Sequence, residues 1–393
     1  MTTPNTRTEV EWASHAQRLA DELAAAGKLT DPQLAAAVRA VPRHIFVPAY
    51  HRQNSDGSWA ERTSVDDLAA VYANTALITA LAAIPNETAV LSSSTQPGLM
   101  TRMIEALHLA DGTRVLEIGT GTGYNAALLT HRLGEDKVFS VDIEARLVDL
   151  ARQRLAGLGY HPTLVAGDGA AGLPEYAPFD AIIATCAIPA VPWAWIDQVR
   201  LGGVVLTDLK PAPGAGSLVR LTRTADDRAE GSFDATYAAF MDLRHTPGGT
   251  PAGFRVKRDH DEAEHRMTAL DPNTPWTSLL VWFLASFDFG PEIAYGYTMA
   301  QNASRPWTAP TASWVATPDG SWAEITLGAE DGGHPVAEGG PRRLWRLLEQ
   351  AHSTWTSLGQ PGWNRFGLTV TPENQTLWLD EPGGQHTWQL APR

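Results

Sequence analysis

The sequence predicts an α/β protein built on a doubly wound, mostly parallel sheet. Between residues 115 and 207, short apolar runs alternate with segments of helical period, which is the pattern of repeated strand–helix units. The run Val115-Leu116-Glu117-Ile118 leads directly into Gly119, Gly121 and Gly123, and helix formers come next at Ala126-Ala127-Leu128-Leu129. The next apolar run ends on a carboxylate, Asp142, 23 residues past Gly119.

Residues 115–118 form a buried strand whose glycine turn lets backbone amides approach a ligand, with a helix N-terminus behind them. A dinucleotide fingerprint would place its third glycine at position 124, which holds Tyr124. Glu117, two residues before the first glycine, suits a ligand with a charged amino-acid end instead. Residues 137–143 form the second strand, and Asp142 stands where a nucleoside-binding fold puts its ribose acceptor. Leu147, Leu150, Ala151, Arg154 and Leu155 keep helical period. Residues 163–169 give a third strand and a polar turn, in which Asp168 is placed to accept from an exocyclic amine such as that of adenine. Residues 179–185 are apolar as buried parallel strands are. Residues 203–207 and 217–221 are the next strands, and 235–241 are expected to close the sheet.

The strand, acid and G-x-G-x-G loop together resemble motif I of the class I S-adenosylmethionine methyltransferases. Two upstream stretches narrow the resemblance. Val41-Pro42-Arg43-His44-Ile45-Phe46-Val47-Pro48 and Ser92-Ser93-Ser94-Thr95-Gln96-Pro97 are similar to motifs of the protein L-isoaspartyl O-methyltransferase family. Gly167-Asp168-Gly169 and Ala177-Pro178-Phe179-Asp180 match it as well, so the resemblance runs from about residue 35 to residue 210. It implies a Rossmann-like catalytic domain with an N-terminal helical segment, S-adenosylmethionine as methyl donor, S-adenosylhomocysteine as product, and a peptide aspartyl-type carboxylate as acceptor. The cofactor contacts it implies are Gln96, Glu117, Gly119, Thr120, Gly121, Gly123, Tyr124, Asn125, Asp142, Ile143, Asp168, Gly169 and Thr185. Ser93, Ser94 and Thr95 are the candidate catalytic hydroxyls, placed to orient the acceptor carboxylate; the alternative is that they cap the helix over 98–107. No strong general base is required, because a carboxylate is already ionised at neutral pH. Two departures fall on the acceptor side. Thr95 replaces the family's serine before Gln-Pro, and Tyr72-Ala73-Asn74 followed by Thr75-Ala76-Leu77-Ile78 replaces Tyr-x-Asp and a proline-rich loop.

At 393 residues the chain has room for two or three domains. Residues 1–247 are assigned to the catalytic domain and 248–275 to a linker that opens on Pro-Gly-Gly-Thr-Pro at 247–251 and carries a charged run over 257–266. Residues 276–393 are assigned to an α+β C-terminal domain, a substrate-recognition extension. The region from about residue 252 holds ten of the 14 tryptophans, expected mainly as core, with a few lining a peptide groove or packing on the catalytic domain. Helices are expected over 279–287 and 342–358, and strands over 311–317 and 367–371. Truncation after about residue 247 is expected to spare cofactor binding and abolish peptide modification.

Several classes are excluded. A lone cysteine, Cys186, permits no intrachain disulfide and is expected as a packed thiol. The N-terminus carries no basic and apolar signal, and the most apolar helix is too short to cross a bilayer, so a cytoplasmic protein is expected. A net charge of −14 and a pI near 5.3 argue against nucleic acid as partner and suit a basic peptide. His260 and His265, five apart, do not share a helix face, and no metal site is expected. The extension and the altered Ser-Ser-Ser-Thr-Gln-Pro segment favour a biosynthetic branch of the family, associated with lanthipeptide, lasso-peptide and graspetide pathways. Such an enzyme methylates an ordinary L-aspartate of a ribosomally made, constrained precursor peptide, and the ester then collapses to aspartimide. The alternatives are isoaspartate repair and a cofactor-binding adaptor that recruits a partner.

Overall fold

The computed structural model describes residues 6–84, 87–249, 254–300, 309–330 and 332–390. Three helices lead the chain: α1 (Thr6–Ala25), α2 (Pro32–Ala40) and α3 (Arg43–Phe46). Asp31 caps α2 by accepting from the Gln33 amide at 2.8 Å, with Pro32 in the first turn, where its missing N–H costs nothing. Next along the chain are strands β1 (Ala49–Gln53) and β2 (Trp59–Thr63), the turn helix α4 (Leu68–Val71), and strands β3 (Leu77–Ile84) and β4 (Glu87–Ser94). The four strands form an antiparallel sheet of order β2-β1-β3-β4, which leaves β4 at an edge. Helix α5 (Pro97–Ala106) begins directly after β4.

The central sheet is built from β5 (Val115–Ile118), α6 (Tyr124–Leu133), β6 (Val138–Asp142), α7 (Ala145–Ala156), β7 (Thr163–Ala166), β8 (Phe179–Ile188), α8 (Trp193–Gln198), β9 (Val199–Ala212), β10 (Ala215–Ala225) and β11 (Arg228–Phe233). Its parallel part has the order β7-β6-β5-β8-β9. From β5 the chain winds outward to one side and then returns to the other, so the crevice at the C-terminal end of β5 is a topological switch point. Every residue of β5 and β6 is buried, as strands covered by helices on both faces require. The expected doubly wound sheet is therefore present. One strand lies elsewhere: the sheet continues through β11 over Arg228–Phe233, whereas 235–241 runs as irregular chain. The Asp226-Asp227 turn makes β10 and β11 a hairpin, and the backbone of 241–243 bonds instead to Ala187 at the end of β8.

The C-terminal region contains β12 (Glu264–Thr268), α9 (Thr274–Thr277), α10 (Leu279–Phe289), β13 (Ala294–Met299), β14 (Pro310–Ala316), β15 (Trp322–Thr326), β16 (His334–Gly339), α11 (Leu344–Ser357), β17 (Phe366–Val370), β18 (Gln375–Leu379) and β19 (Thr387–Gln389). Strands β12 to β16 form a five-stranded antiparallel sheet of order β12-β16-β15-β14-β13. The last three strands do not join it. β17 pairs antiparallel with β11, from Ala229↔Val370 to Ser232↔Gly367, and extends the central sheet to ten strands. The charged run expected as an exposed connector enters a strand, because its charges find partners: Arg266 pairs with Glu338 and Glu349, each at 2.9 Å, and Glu264 with Arg343 and Arg346.

One apolar cluster crosses this junction. It contains Phe179, Ile182, Val205 and Leu221 of the central sheet together with Trp282, Trp345, Leu348 and Leu368. Helix α10 is apolar on nearly every face and correspondingly buried. Trp282 is fully buried, and its Nε1 donates to the Pro213 carbonyl at 2.9 Å in the β9–β10 turn. Gln375 exchanges two bonds with Val191, at 2.9 and 2.7 Å. Trp322, Trp345, Trp363 and Trp378 are also buried; Trp276, Trp314, Trp355 and Trp388 are half-buried, and Trp307 lies outside the described residues. Truncation after residue 247 would thus strip β11 of its neighbour and open this core, which revises the expectation that such a fragment would still bind cofactor. Trp282→Ala is expected to cost about 3–5 kcal/mol. Denaturant unfolding is expected to stay a single transition; two resolved transitions would show that the two regions fold independently.

Candidate active site

A cavity of about 910 Å³ opens at the switch point. The glycine loop forms its floor. Gly119 has φ +96°, and a Cβ there would stand 2.7 Å from Thr185 Oγ1, which itself donates to the Gly119 carbonyl at 2.9 Å. Gly123 (φ +88°) serves packing instead of ligand approach: a Cβ would meet that of Ala151 on α7 at 2.9 Å. Beneath the loop Glu117 is fully buried. Its two oxygens accept from Asn125 Nδ2 at 2.7 Å and Ser140 Oγ at 2.6 Å, and Thr120 Oγ1 lies 2.6 Å from Ser140 Oγ. Burial pushes the Glu117 carboxyl up to about 7, against the pull of those donors. Glu117 therefore braces the start of α6 as well as lining the cavity, while Asn125 Oδ1 is buried with no protein partner among the described residues.

The second acid sits at the tip of β6. Asp142 accepts from the Gly121 amide through Oδ2 and from the Glu144 amide through Oδ1, each at 2.9 Å, and lines the cavity beside Ile143. Asp168 is placed differently from its expected role. It caps its own turn at the Ala170 amide (2.9 Å) and pairs with His245 Nδ1 (2.9 Å), so Gly169 and His245 line the cavity and Asp168 does not. A strap over 239–249, marked by no motif in the sequence, folds back across this end. The Ala187 amide donates to the Met241 carbonyl at 2.7 Å, Arg244 pairs with Glu144 and donates to the Leu91 carbonyl at 3.2 Å, and the Gly248 amide donates to Glu144 at 2.6 Å. Lys210, also unforeseen, lines the wall with its Nζ 2.7 Å from the Phe240 carbonyl and 2.6 Å from Asp242. Cys186 reaches the cavity, but burial pushes its thiol well above the ordinary range, which disfavours the thiolate.

The opposite wall carries Ser93, Ser94, Thr95 and Gln96. None of their side chains caps α5, whose N-cap is Gln96 without a side-chain bond. The α5 amide of Gly98 is held at 2.8 Å by Asn74 Oδ1, and Gln96 Nε2 donates to the Asn74 carbonyl at 3.0 Å. Behind this wall lies Arg43, from the Val-Pro-Arg motif, fully buried. Its guanidinium donates to the carbonyls of Val71 (2.8 Å), Ala73 (3.0 Å), Thr75 (3.2 Å) and Thr95 (3.3 Å) and to Ser94 Oγ (3.3 Å). It also stands 5.7 Å over the Tyr124 ring. Burial lowers it to about 10, so it stays charged at neutral pH, and no carboxylate pairs with it among the described residues. The hydroxyls of Ser93 and Thr95 have no protein partner among the described residues. No tryptophan of the described residues lines the cavity. His260 and His265 lie apart from it: His260 packs on Trp322 at 5.0 Å and faces Glu324 at 3.6 Å. Among the described residues no helix is long and apolar enough to cross a membrane.

These residues fit S-adenosylmethionine: a loop that tolerates no side chain at Gly119, a carboxylate at the end of β6, an orphaned amide oxygen at Asn125 and a buried acid beneath. A cationic ligand end above Glu117 favours its ionised form. Affinity for S-adenosylhomocysteine is thus expected to rise with pH up to about 7 and level off above it, and Glu117→Gln is expected to flatten that rise in calorimetric titrations.

Comparison with known proteins agrees with this geometry. The family model described as Protein-L-isoaspartate(D-aspartate) O-methyltransferase (PCMT) matches residues 14–243. Relatives named protein-L-isoaspartate O-methyltransferase include one from Methylorubrum extorquens (strain PA1), 37% identical over 226 residues, which are 58% of this chain and 86% of that protein. Another, from Rhodospirillum rubrum, is 37% identical over 238 residues, 59% of this chain and 96% of the relative. A solved structure described as a protein-L-isoaspartate O-methyltransferase superposes with a TM-score of 0.51 at 22% identity, covering 91% of this chain and 96% of the other, a likeness of fold alone. The fold of the C-terminal region therefore also occurs in a chain so described, and its presence does not by itself single out a biosynthetic branch. With a family match over more than half its length and a cavity shaped for the methyl donor, the chain belongs to the protein-L-isoaspartate O-methyltransferase family of S-adenosylmethionine-dependent carboxyl methyltransferases.

Proposed function

We propose that this enzyme esterifies an aspartyl-type carboxylate of a peptide or protein, with L-isoaspartate as the acceptor that its relatives' names support. The observation that carries the reading is a single cavity with the glycine loop and Asp142 on one side and the free hydroxyls of Ser93 and Thr95 on the other. When bound, S-adenosylmethionine supplies an electrophilic methyl carbon whose transfer discharges a sulfonium. The protein's task is then to hold an ionised carboxylate in line and keep water out. Ser93 and Thr95 donate to the oxygen that does not attack. Arg43, one layer back and without a carboxylate partner among the described residues, gives that wall a positive potential that favours the ionised acceptor, while Lys210 on the far wall is paired with Asp242.

A second reading rests on one observation. Where the family resemblance expects a proline-rich loop after Tyr72-Ala73-Asn74, strand β3 begins and pairs with β4, and β4 lines the cavity. A remodelled entrance suits a dedicated substrate, namely an ordinary L-aspartate in a constrained precursor peptide. Its methyl ester would be attacked by the next backbone nitrogen, which loses its proton as methanol leaves and closes aspartimide.

Mass spectrometry of matched isoaspartyl and aspartyl peptides decides between the readings. Methylation of the isoaspartyl peptide alone supports the first. Methyl-ester gain on an aspartyl peptide, followed by net loss of one water, supports the second. Asp142→Ala is expected to weaken S-adenosylhomocysteine about ten-fold or more, through loss of charged hydrogen bonds. Thr95→Ala is expected to leave that affinity unchanged and lower kcat/KM for the acceptor about ten-fold. Equal acceptor kinetics in Thr95→Ala would remove Thr95 from the site.

A further inference from the structure

We infer that the free edge of β4 is the docking strand for the acceptor: an extended peptide segment adds to it by backbone hydrogen bonds and delivers its carboxylate into the cavity. The inference deepens the proposed carboxyl methylation and rests on it.

The geometry comes from which residues meet the cavity. Successive side chains of a strand point to opposite faces, so a cavity lying on one face touches every second residue. This cavity is lined by Ala89, Val90, Leu91, Ser92, Ser93 and Ser94 without a gap, and by none of the described side chains of β3. It therefore lies along the outer edge of β4, on the side away from β3. That edge is open. β4 pairs only with β3, and along 87–94 the one further backbone bond among the described residues is Arg244 Nη2 to the Leu91 carbonyl. Exposed edges of this kind are normally blunted by lysine or proline. β4 carries neither; its only charged residue is Glu87, at the end away from the site.

The same edge carries a register shift. Val90 pairs with Leu81 and Ser92 with Ala80, which leaves Leu91 as the extra residue of a bulge. Bulges beside active sites end regular pairing and re-aim the neighbouring side chains. Here the bulge immediately precedes Ser92-Ser93-Ser94-Thr95; pairing with β3 resumes at Ser92↔Ala80 and continues to Ser94↔Leu77 with a second shift that skips Thr79, so the ladder is irregular where the hydroxyls begin. A strand bound along 87–91 would run toward the methyl-transfer site, and its alternating side chains give one carboxylate per two residues access to the cavity. Backbone recognition of this kind tolerates many sequences while fixing the depth of the acceptor. A second copy of this chain is the competing occupant, but its own β4 would have to enter the cavity to pair.

The test is an amide-to-ester scan of a seven-residue acceptor peptide with a central isoaspartyl or aspartyl residue, whichever is turned over. Each ester removes one backbone N–H. Kinetics are followed with the intact enzyme and S-adenosylmethionine, and sedimentation is run in parallel. Strand addition predicts alternation: esters at every second position lower kcat/KM about ten-fold, while those between stay within about two-fold. A flat profile with the parent peptide fully active overturns strand docking and leaves carboxyl methylation standing. A stable dimer lost on Val90→Pro, together with a flat profile, assigns the edge to self-association and also overturns it. No methylation of either parent peptide overturns the carboxyl-transfer reading, and the docking inference falls with it.

Discussion

The cavity wall opposite the glycine loop depends on one buried guanidinium. Arg43 has no carboxylate beside it among the described residues to balance its charge, so the carbonyls of Val71, Ala73, Thr75 and Thr95 must all turn toward it. Burying a charge is costly unless hydrogen bonds surround it, and here the surrounding bonds are the fold of the site. They fix the chain on both sides of the β3–β4 hairpin, seat Ser94, and leave the neighbouring hydroxyls of Ser93 and Thr95 uncommitted. Charge and architecture are joined in one residue: the cation is what organises the wall.

The cofactor side was largely legible in the sequence, because its determinants are local. A buried strand, a turn that needs positive φ, and an acid at the next strand end all lie within 28 residues of Val115. The acceptor side was legible only as a set of departures. Asn74 reads as a lost carboxylate, yet in the structure its side-chain oxygen holds the first turn of α5. Asp168 reads as a ligand contact, but its neighbour His245 comes from 77 residues away. Lys210 and Arg244 sit in stretches with no motif: β9 carries Lys210 to the cavity wall, and the return of the 239–249 strap brings Arg244. The segment 235–241 has the composition of a strand, and the competition was decided by the Asp226-Asp227 turn and by the free backbone at Ala187.

The tryptophan-rich region is a further case of composition outrunning topology. Its tryptophans read mainly as core, and Trp282 and Trp345 are core, but the sequence did not show that they join two sheets into one. The region also supports the frame of the site: α10 holds the β9–β10 turn, and β9 carries Lys210. A substitution that loosens this packing is felt in the active site without touching it.

The pairing of β11 with β17 also sets an order of events during synthesis. Ala229 meets Val370 across 141 residues of chain, so the edge of β11 must wait, unpaired, while the whole five-stranded sheet is made. Such long-range pairings form slowly and leave nascent edges open to neighbouring chains. β11 bears Arg228 and Glu230, charges that discourage a stray strand, and Glu230 later accepts from Thr369 of the proper partner at 3.0 Å. A charge of the kind that discourages stray strands at an open edge is thus, in the finished fold, a partner of the strand that closes it.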